Sequence, residues 1–563
     1  MGTQRLKDRH DKTACISRCF IAAATRRPKY ILFYPSKDSE ETMAGGGLYA
    51  LVAYGTQNVL LSGNPQMTYF YKAFKRYSHF AMESITIPLE GPNELSYDQP
   101  IQLRAKIPRY GDLLSDLVFT FTIPDIYSKY LPPQPPPPTG NGRTSQWEFQ
   151  WVRYLGAAVI QNAAFFVGGQ KIQEFDGSYL LSRALLDVDQ DAFVKWKHLV
   201  GDTSELTDPA LGSYAGGRSN TGYPSVITNP ATTTQLNRPS IFGRDIHVPL
   251  SFWFTEAPSQ ALPLIGLQYH ECEVQLTLNP IASLYTVQDI SGYRVSPNYK
   301  MSSTAAQLAS NTPNYAASSD TNMQIRYFLT DIGVTPPALN TWFFNPVIQG
   351  TFIYLPTEEQ QIFATRPLSY MIPQVTSYPF PGQYTRQVLD IQAHNPLTRL
   401  IFIQRRSDAV CRNDFANFTN WFTYPYAPFS PTPNIISALQ QGSTSGLLIP
   451  NSQQDMIRSI RVLCDGNEIQ EKKNADYYVW LSTYRYTRGI GQDGLPIYSF
   501  QLAQSPTQAS GSINASRIRN FQIDLDVYPL PTATTYTYDV TVYVENLNWF
   551  EVVSGMGGLK YAL

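Results

Sequence analysis

The chain has 563 residues, enough for two large all-β domains and a tail. Its 43 Lys and Arg nearly cancel its 44 Asp and Glu, which argues against bulk electrostatic attraction to nucleic acid and leaves a surface that does not strongly repel its own copies. Aromatics reach 13% against only 15% charged residues, with 42 Pro and 35 Gly, a balance that favours strands and turns.

Residues 1–42 differ from the rest, with nine Lys or Arg against five Asp or Glu and two of the five cysteines. They read as a disordered arm, or as translation from upstream of a start at Met43, rather than as a signal peptide or a nucleic-acid-binding arm. From Met43 the chain turns apolar. Strand-like segments follow at Phe80 to Leu89 and Ile101 to Ile107. Leu117, Phe119, Phe121 and Ile123 alternate with Thr120 and Thr122, the period of a half-buried strand. Pro132 to Pro138 is a stiff surface insertion. Leu155 to Val167 is the most apolar run, but it is too short for a membrane span and is interrupted by Gln161 and Asn162. It reads as a buried strand pair.

The stretch Ile160 to Glu174 has a counterpart at Ser459 to Glu471, with Gly169 on Gly466, Ile172 on Ile469, Gln173 on Gln470 and Glu174 on Glu471. Each copy reads as strand, tight turn, strand, and each runs into a helix-compatible segment, Ser178 to Leu186 or Ala475 to Thr483. This repeat predicts two domains of one design in tandem.

Gly201 to Arg238 is too polar and too long for a simple connector, so it is expected to be an exposed loop. Strands are expected at Arg244 to Phe254 and Leu264 to Leu278. Residues 281–322 have low apolar periodicity, and the domain boundary is expected there. The second half offers strands at Ile348 to Tyr354, Val388 to Ala393, Leu400 to Gln404, Ile457 to Leu463, Ile497 to Leu502, Phe521 to Val527 and Thr535 to Glu545. In the last, Tyr536, Tyr538, Val540, Val542 and Val544 mark one face. Val553 to Tyr561 is flexible in composition. The whole predicts an all-β chain of two tandem eight-stranded jelly-roll β-sandwiches with long inserted loops and a few short helices.

No chemistry stands out. Cys15, Cys19, Cys272, Cys411 and Cys464 form no CxxC pair, and a reducing compartment is the default. The six histidines, His10, His79, His198, His247, His270 and His394, lie in no nucleophile-elbow or HExxH context. Gly489 to Gly494 lacks the GK[ST] ending of a phosphate loop. Asp524 and Asp526 share a strand face and read as solvated rather than metal-binding. Asn417 and Asn514 match glycosylation acceptors, which matters only in a secretory setting. No catalytic, cofactor-binding or metal-binding residue is assigned.

Several segments in order resemble the major capsid protein of nucleocytoplasmic large DNA viruses. They are Met43 to Gly47, Leu51 to Gly55, Leu61 to Gln66, Phe80 to Ser84, Ile107 to Leu114, Phe252 to Phe254, Ala261 to Glu271, Ser510 to Arg517, Asn546 to Asn548 and Ser554 to Leu559. The resemblance implies a double jelly roll, with residues 43–66 as a segment at the capsomer base. It also implies a first roll at 67–300, a second at 320–550 and a tail at 551–563. It implies a non-enzymatic shell subunit without cofactors that forms homotrimeric, pseudo-hexameric capsomers. These would tile an icosahedral shell beside neighbouring capsomers, minor capsid and penton proteins, near an inner membrane but without a span or direct nucleic-acid contact. It places the protein in the virion's outer capsid, assembled in the host cytoplasm. A carbohydrate-binding jelly roll and a glycoside hydrolase are the alternatives; the hydrolase would need two carboxylates about 5–10 Å apart in a cleft.

Overall fold

The computed structural model describes residues 46–72, 74–127, 148–207, 239–288, 294–330, 334–425, 453–505, 507–531 and 534–561. The arm 1–42, the proline run and most of the expected loop Gly201 to Arg238 lie outside them. The described residues up to Tyr77 form one unit, with helices Gly46–Val52 and Thr56–Ser62, and no residue of the second helix is buried.

The remainder contains two sandwiches. The first is built from β1 (Ala81–Pro88), β2 (Ile101–Lys106), β3 (Leu113–Ile123), β4 (Ile160–Val167), β5 (Gln170–Phe175), β6 (Arg244–Pro249), β7 (Cys272–Leu278) and β8 (Val347–Tyr354). One sheet has the order β1-β8-β3-β6 and the other β2-β7-β4-β5. The second sandwich uses β9 (Leu368–Gln383), β10 (Gln387–Ile391), β11 (Pro396–Arg406), β12 (Ile457–Cys464), β13 (Asn467–Asn474), β14 (Ile497–Ser499), β15 (Phe521–Val527) and β16 (Tyr538–Val553). Its sheets run β9-β16-β11-β14 and β10-β15-β12-β13. Counted from its own first strand, each roll therefore has the same two sheets, first-eighth-third-sixth and second-seventh-fourth-fifth. The chain is a double jelly roll.

The repeated motif falls at equivalent places, β4–β5 and β12–β13. Both turns place two successive residues at positive φ, Gly168 and Gly169 in the first and Asp465 and Gly466 in the second. This is the type I′ geometry whose twist matches the flanking strands. The cores follow from alternation. Leu117, Phe119, Phe121 and Ile123 are fully buried and meet Leu103, Phe165, Val274 and Leu276 of the facing sheet in one cluster. Tyr536, Tyr538, Val540, Val542 and Val544 do the same in the second roll against Leu389, Ile460, Val462 and Ile523.

Four expectations change. The strand at Val347–Tyr354 pairs with β1 and β3, so it closes the first roll from within the range expected for the second. Its Ile348 and Phe352 fill the first core, which the strand's place in the chain could not reveal. Residues 281–322 are not a linker: Leu284, Tyr285, Val287, Val295 and Met301 pack into that same core. Their strands, Tyr285–Gln288, Arg294–Val295 and Tyr299–Met301, are too short to show a period. Leu155 to Val167 is not a strand pair but a buried helical turn, Leu155–Val159, leading into β4. The tail folds back, with Met556–Leu559 pairing with Phe550 to Val553.

A test of the repeat isolates the turn from packing. A Cβ on Gly466 would meet nothing within 4 Å, so its φ of 79° is the only constraint there. Gly466→Val is expected to lower stability by about 1–2 kcal/mol, while Gly466→Asn, which tolerates this region, costs less. Denaturant unfolding of the two variants checks the order.

Candidate functional site

The most elaborate polar arrangement among the described residues is the junction between the rolls. It begins at Asp176, which caps the helix Gly177–Asp187 by accepting a hydrogen bond from the Tyr179 N–H at 2.7 Å. Gly177 is required, because a Cβ there would lie 2.0 Å from the Ala157 carbonyl oxygen. Nine of the helix's eleven residues are buried, so it is an internal strut rather than a surface helix. Tyr179, Arg183 and Asp187 stand four residues apart and share one face.

That face meets the second roll. Arg399 on β11 and Glu545 on β16 are cross-strand partners, 1% and 2% exposed as side chains. The Arg399 guanidinium donates to both Glu545 oxygens at 2.8 Å and, from its other edge, to both Asp187 oxygens at 2.7 and 2.8 Å. The Tyr179 hydroxyl donates to Glu545 Oε1 at 2.7 Å. Arg183 pairs with Asp187 and with Glu256, which follows the turn Trp253–Thr255. One turn of helix away, the Tyr543 hydroxyl donates to Asp176 at 2.5 Å, and Arg405 donates to Ser178 Oγ at 3.1 Å.

Burial pushes the Asp187 carboxyl upward, but the two guanidiniums, Arg399 first, outweigh it and hold it below the usual carboxylate value. Glu256 moves the other way, because burial outweighs Arg183. The junction's backbone is closed as well. The Gly489 and Gly491 N–H groups from the second roll donate to the Leu186 and Leu185 carbonyls at 2.7 and 3.0 Å, capping the helix end. A Cβ on Gly489 would lie 2.1 Å from the Leu185 oxygen. The glycine cluster that is no phosphate loop is thus a close backbone contact.

A second network ties the segment before β8 to the second roll. Arg406 chelates Asp408 at 2.9 and 2.7 Å, donates to Asn311 and Asn420, and lies 3.5 Å from the Tyr536 ring centroid. Arg412 bridges Asp408 and the Tyr315 hydroxyl.

The residues weighed from sequence do not converge. His247 bonds Thr120 and His270 bonds the Gly557 carbonyl, while His394 is exposed. Asp524 is not solvated; it is held between Arg386 and Arg461, whose hydrogen bonds lower its carboxyl, while Asp526 pairs with Lys472. Asn417 is buried, donating to Asp414 and the Trp421 carbonyl, so it is no accessible acceptor for a glycan. Cys272 and Cys464 are buried, and burial pushes their thiols up to about 12 and about 11. Among the described residues no three His, Cys, Asp or Glu side chains group to hold a metal ion, and no helix is long and apolar enough to cross a membrane.

Two family models match in succession along the chain. The "Major capsid protein N-terminus" matches residues 68–329, and the "Large eukaryotic DNA virus major capsid protein" matches 359–558. The chain belongs to the major capsid protein family of large eukaryotic DNA viruses. Strand β8 falls between the two matches, although it completes the first roll. The major capsid protein of Chrysochromulina ericina virus is 26% identical over 92% of this chain and 100% of its own length. That of Paramecium bursaria Chlorella virus 1 is 25% identical over 92% and 99%. Among solved structures, the Faustovirus major capsid protein superposes with a TM-score of 0.57, covering 90% of this chain and 96% of its own at 13% identity. The Paramecium bursaria Chlorella virus 1 capsid gives 0.55, 88% and 100% at 21% identity.

Arg399→Met should cost about 3–5 kcal/mol, because it leaves Asp187 and Glu545 buried without their shared cation. Urea unfolding of the variant against the parent measures it.

Asp455 gives the fold a pH dependence. Burial first, then Asp476 and Asp493, raise the Asp455 carboxyl to about 6 from its ordinary 3.8. A raised carboxyl favours folding fully below its unfolded value, and that contribution is lost as pH rises through about 6. Asp455→Asn should therefore raise the melting temperature above pH 6. The gain should vanish toward pH 4, checked by thermal melts across that range.

Proposed function

We propose that this capsid protein works as a homotrimer whose three pairs of rolls give a pseudo-hexameric capsomer. These capsomers tile the outer icosahedral shell of a large DNA virus. The observation that carries this reading is that the two rolls repeat one strand order and are locked by a buried junction. Each chain then supplies two similar wedges at a fixed angle, and three chains supply six. The role is structural rather than catalytic, and needs no cofactor. Its partners are further copies of itself, neighbouring capsomers, and minor capsid and penton proteins. The expected site of assembly is the host cytoplasm, near an inner membrane; no helix among the described residues is long and apolar enough to cross it.

Energetics favour a hierarchy of contacts. Trimer interfaces should be large and anchored by aromatic side chains. Contacts between trimers should be weaker and wetter, so that a misplaced capsomer can leave before the shell closes. The native mass of a 43–563 chain tests the first step: a species of three chain masses, hexagonal in outline, is expected, and a clean monomer counts against it. Raising salt should then suppress lattice formation before it separates the trimer. Light scattering for the lattice and analytical ultracentrifugation for the trimer read the two apart, and a trimer that dissociates first refutes the hierarchy.

A further inference from the structure

A cleft of about 630 Å³ opens between the rolls, where β5, the edge of one sheet, faces β9, the edge of another. Its walls come from β4, β5, β9, β16 and the connection before β11. Polar and apolar groups share the lining. Six side-chain amides line it, together with the hydroxyls of Thr376, Ser377 and Tyr378.

The charges present are consumed internally. Lys171 pairs with Glu174, which also accepts from Asn162 at 2.5 Å, and Asp176 is held by Tyr543 and the Tyr179 N–H. Four of the six amides, Asn162 among them, are held in orientation. Gln374 donates to the Ile172 carbonyl at 2.8 Å and accepts from Asn548 at 2.9 Å. Gln173 Oε1 accepts from the Trp253 N–H at 2.9 Å, and Asn546 Nδ2 donates to the His394 carbonyl at 3.0 Å. This leaves one donor, Gln173 Nε2, and one acceptor, Asn546 Oδ1, without a partner on residues only 3% and 2% exposed. Unpaired buried amide groups are costly. At the rim, the Tyr378 ring is fixed by its hydroxyl on the Gln392 carbonyl, beside the exposed His394.

We propose that this cleft binds a short, uncharged oligosaccharide. Fixed amides read hydroxyls, and the Tyr378 and His394 rings offer faces for a sugar's C–H side. Lys171 cancels Glu174, and Asp176 leaves the lining with a formal charge of −1, which disfavours phosphate or a nucleotide. An extended peptide would want apolar pockets at alternate positions. The volume falls within the usual range for small-molecule sites. The inference goes beyond the capsomer reading and does not rest on it, since the cleft lies within one chain.

The test titrates the full chain, in whatever oligomer it forms, with maltotriose, cellotriose and chitotriose by saturation-transfer NMR. Sialyllactose is the charged control. Saturable binding of at least one neutral sugar is expected. Tyr378→Ala should weaken it by roughly tenfold or more, and Ser377→Trp, which fills the cleft from an exposed position, should abolish it. Ser377→Trp should keep the parent's melting temperature and native mass; Tyr378→Ala, which also loses packing on the second roll's core, is compared below its own melting transition. No saturable binding by the parent overturns the proposal, as does preference for sialyllactose or unchanged binding in Ser377→Trp.

Discussion

The guanidinium of Arg399 is the point on which the rest of this structure depends. A cation that is 1% exposed survives only if its surroundings replace the water it has lost. Asp187 comes from the first roll and Glu545 from the second, so neither roll alone can satisfy it. The two sandwiches are therefore not independent domains joined by a linker. Each completes the electrostatics of the other, and the helix Gly177–Asp187 is the shared part. Breaking such a set costs far more than making it gains, because the desolvation is already spent. The consequence is specificity of orientation: bidentate bonds on two edges of one planar group fix both the distance and the angle between the rolls.

Around that point the duplicated topology has diverged in use. Both rolls follow their repeated hairpin with a helical segment, but the two segments do different work. In the first roll it becomes the eleven-residue strut, buried under the second roll. In the second it is a π-helical turn, Tyr477–Leu481, running into a short helix, Ser482–Tyr486, with Trp480 and Tyr484 exposed. The segment just beyond, at Gly489 and Gly491, returns to cap the strut. One copy of the motif thus supplies the helix, and the connection after the other supplies its missing hydrogen-bond donors.

How much of this was legible follows from how local each signal is. Period-two alternation from Leu117 to Ile123 and from Tyr536 to Val544 needs only neighbouring residues, and both faces are buried as the pattern requires. The hairpin repeat was visible because a type I′ turn demands particular residues at particular positions. Strand β8 was visible as a strand, yet its partners β1 and β3 lie more than 200 residues away, and sequence carries no mark of that choice. Arg399 sits in Pro396–Arg406, where a charge in a strand ordinarily reads as solvent-facing; only the distant Asp187 and Glu545 make its burial possible. Gly489 was set aside as no phosphate loop, but its actual role stayed hidden, since a glycine that admits a phosphate and one that admits another backbone look alike without the third dimension.

The distribution of charge then connects the fold to its role. Few residues are charged, and a cluster of those that are has been placed inside the junction, where solvent ions do not screen it. The outer surface is left near neutrality, and in the proposed capsomer it would meet its neighbours through contacts that water and salt can reach. A subunit built this way keeps its internal angle under conditions that loosen its external bonds. That separation is what reversible assembly of a regular shell requires. If the wedge flexed as easily as its contacts broke, errors in angle would be built in rather than corrected, and a flat facet could not close.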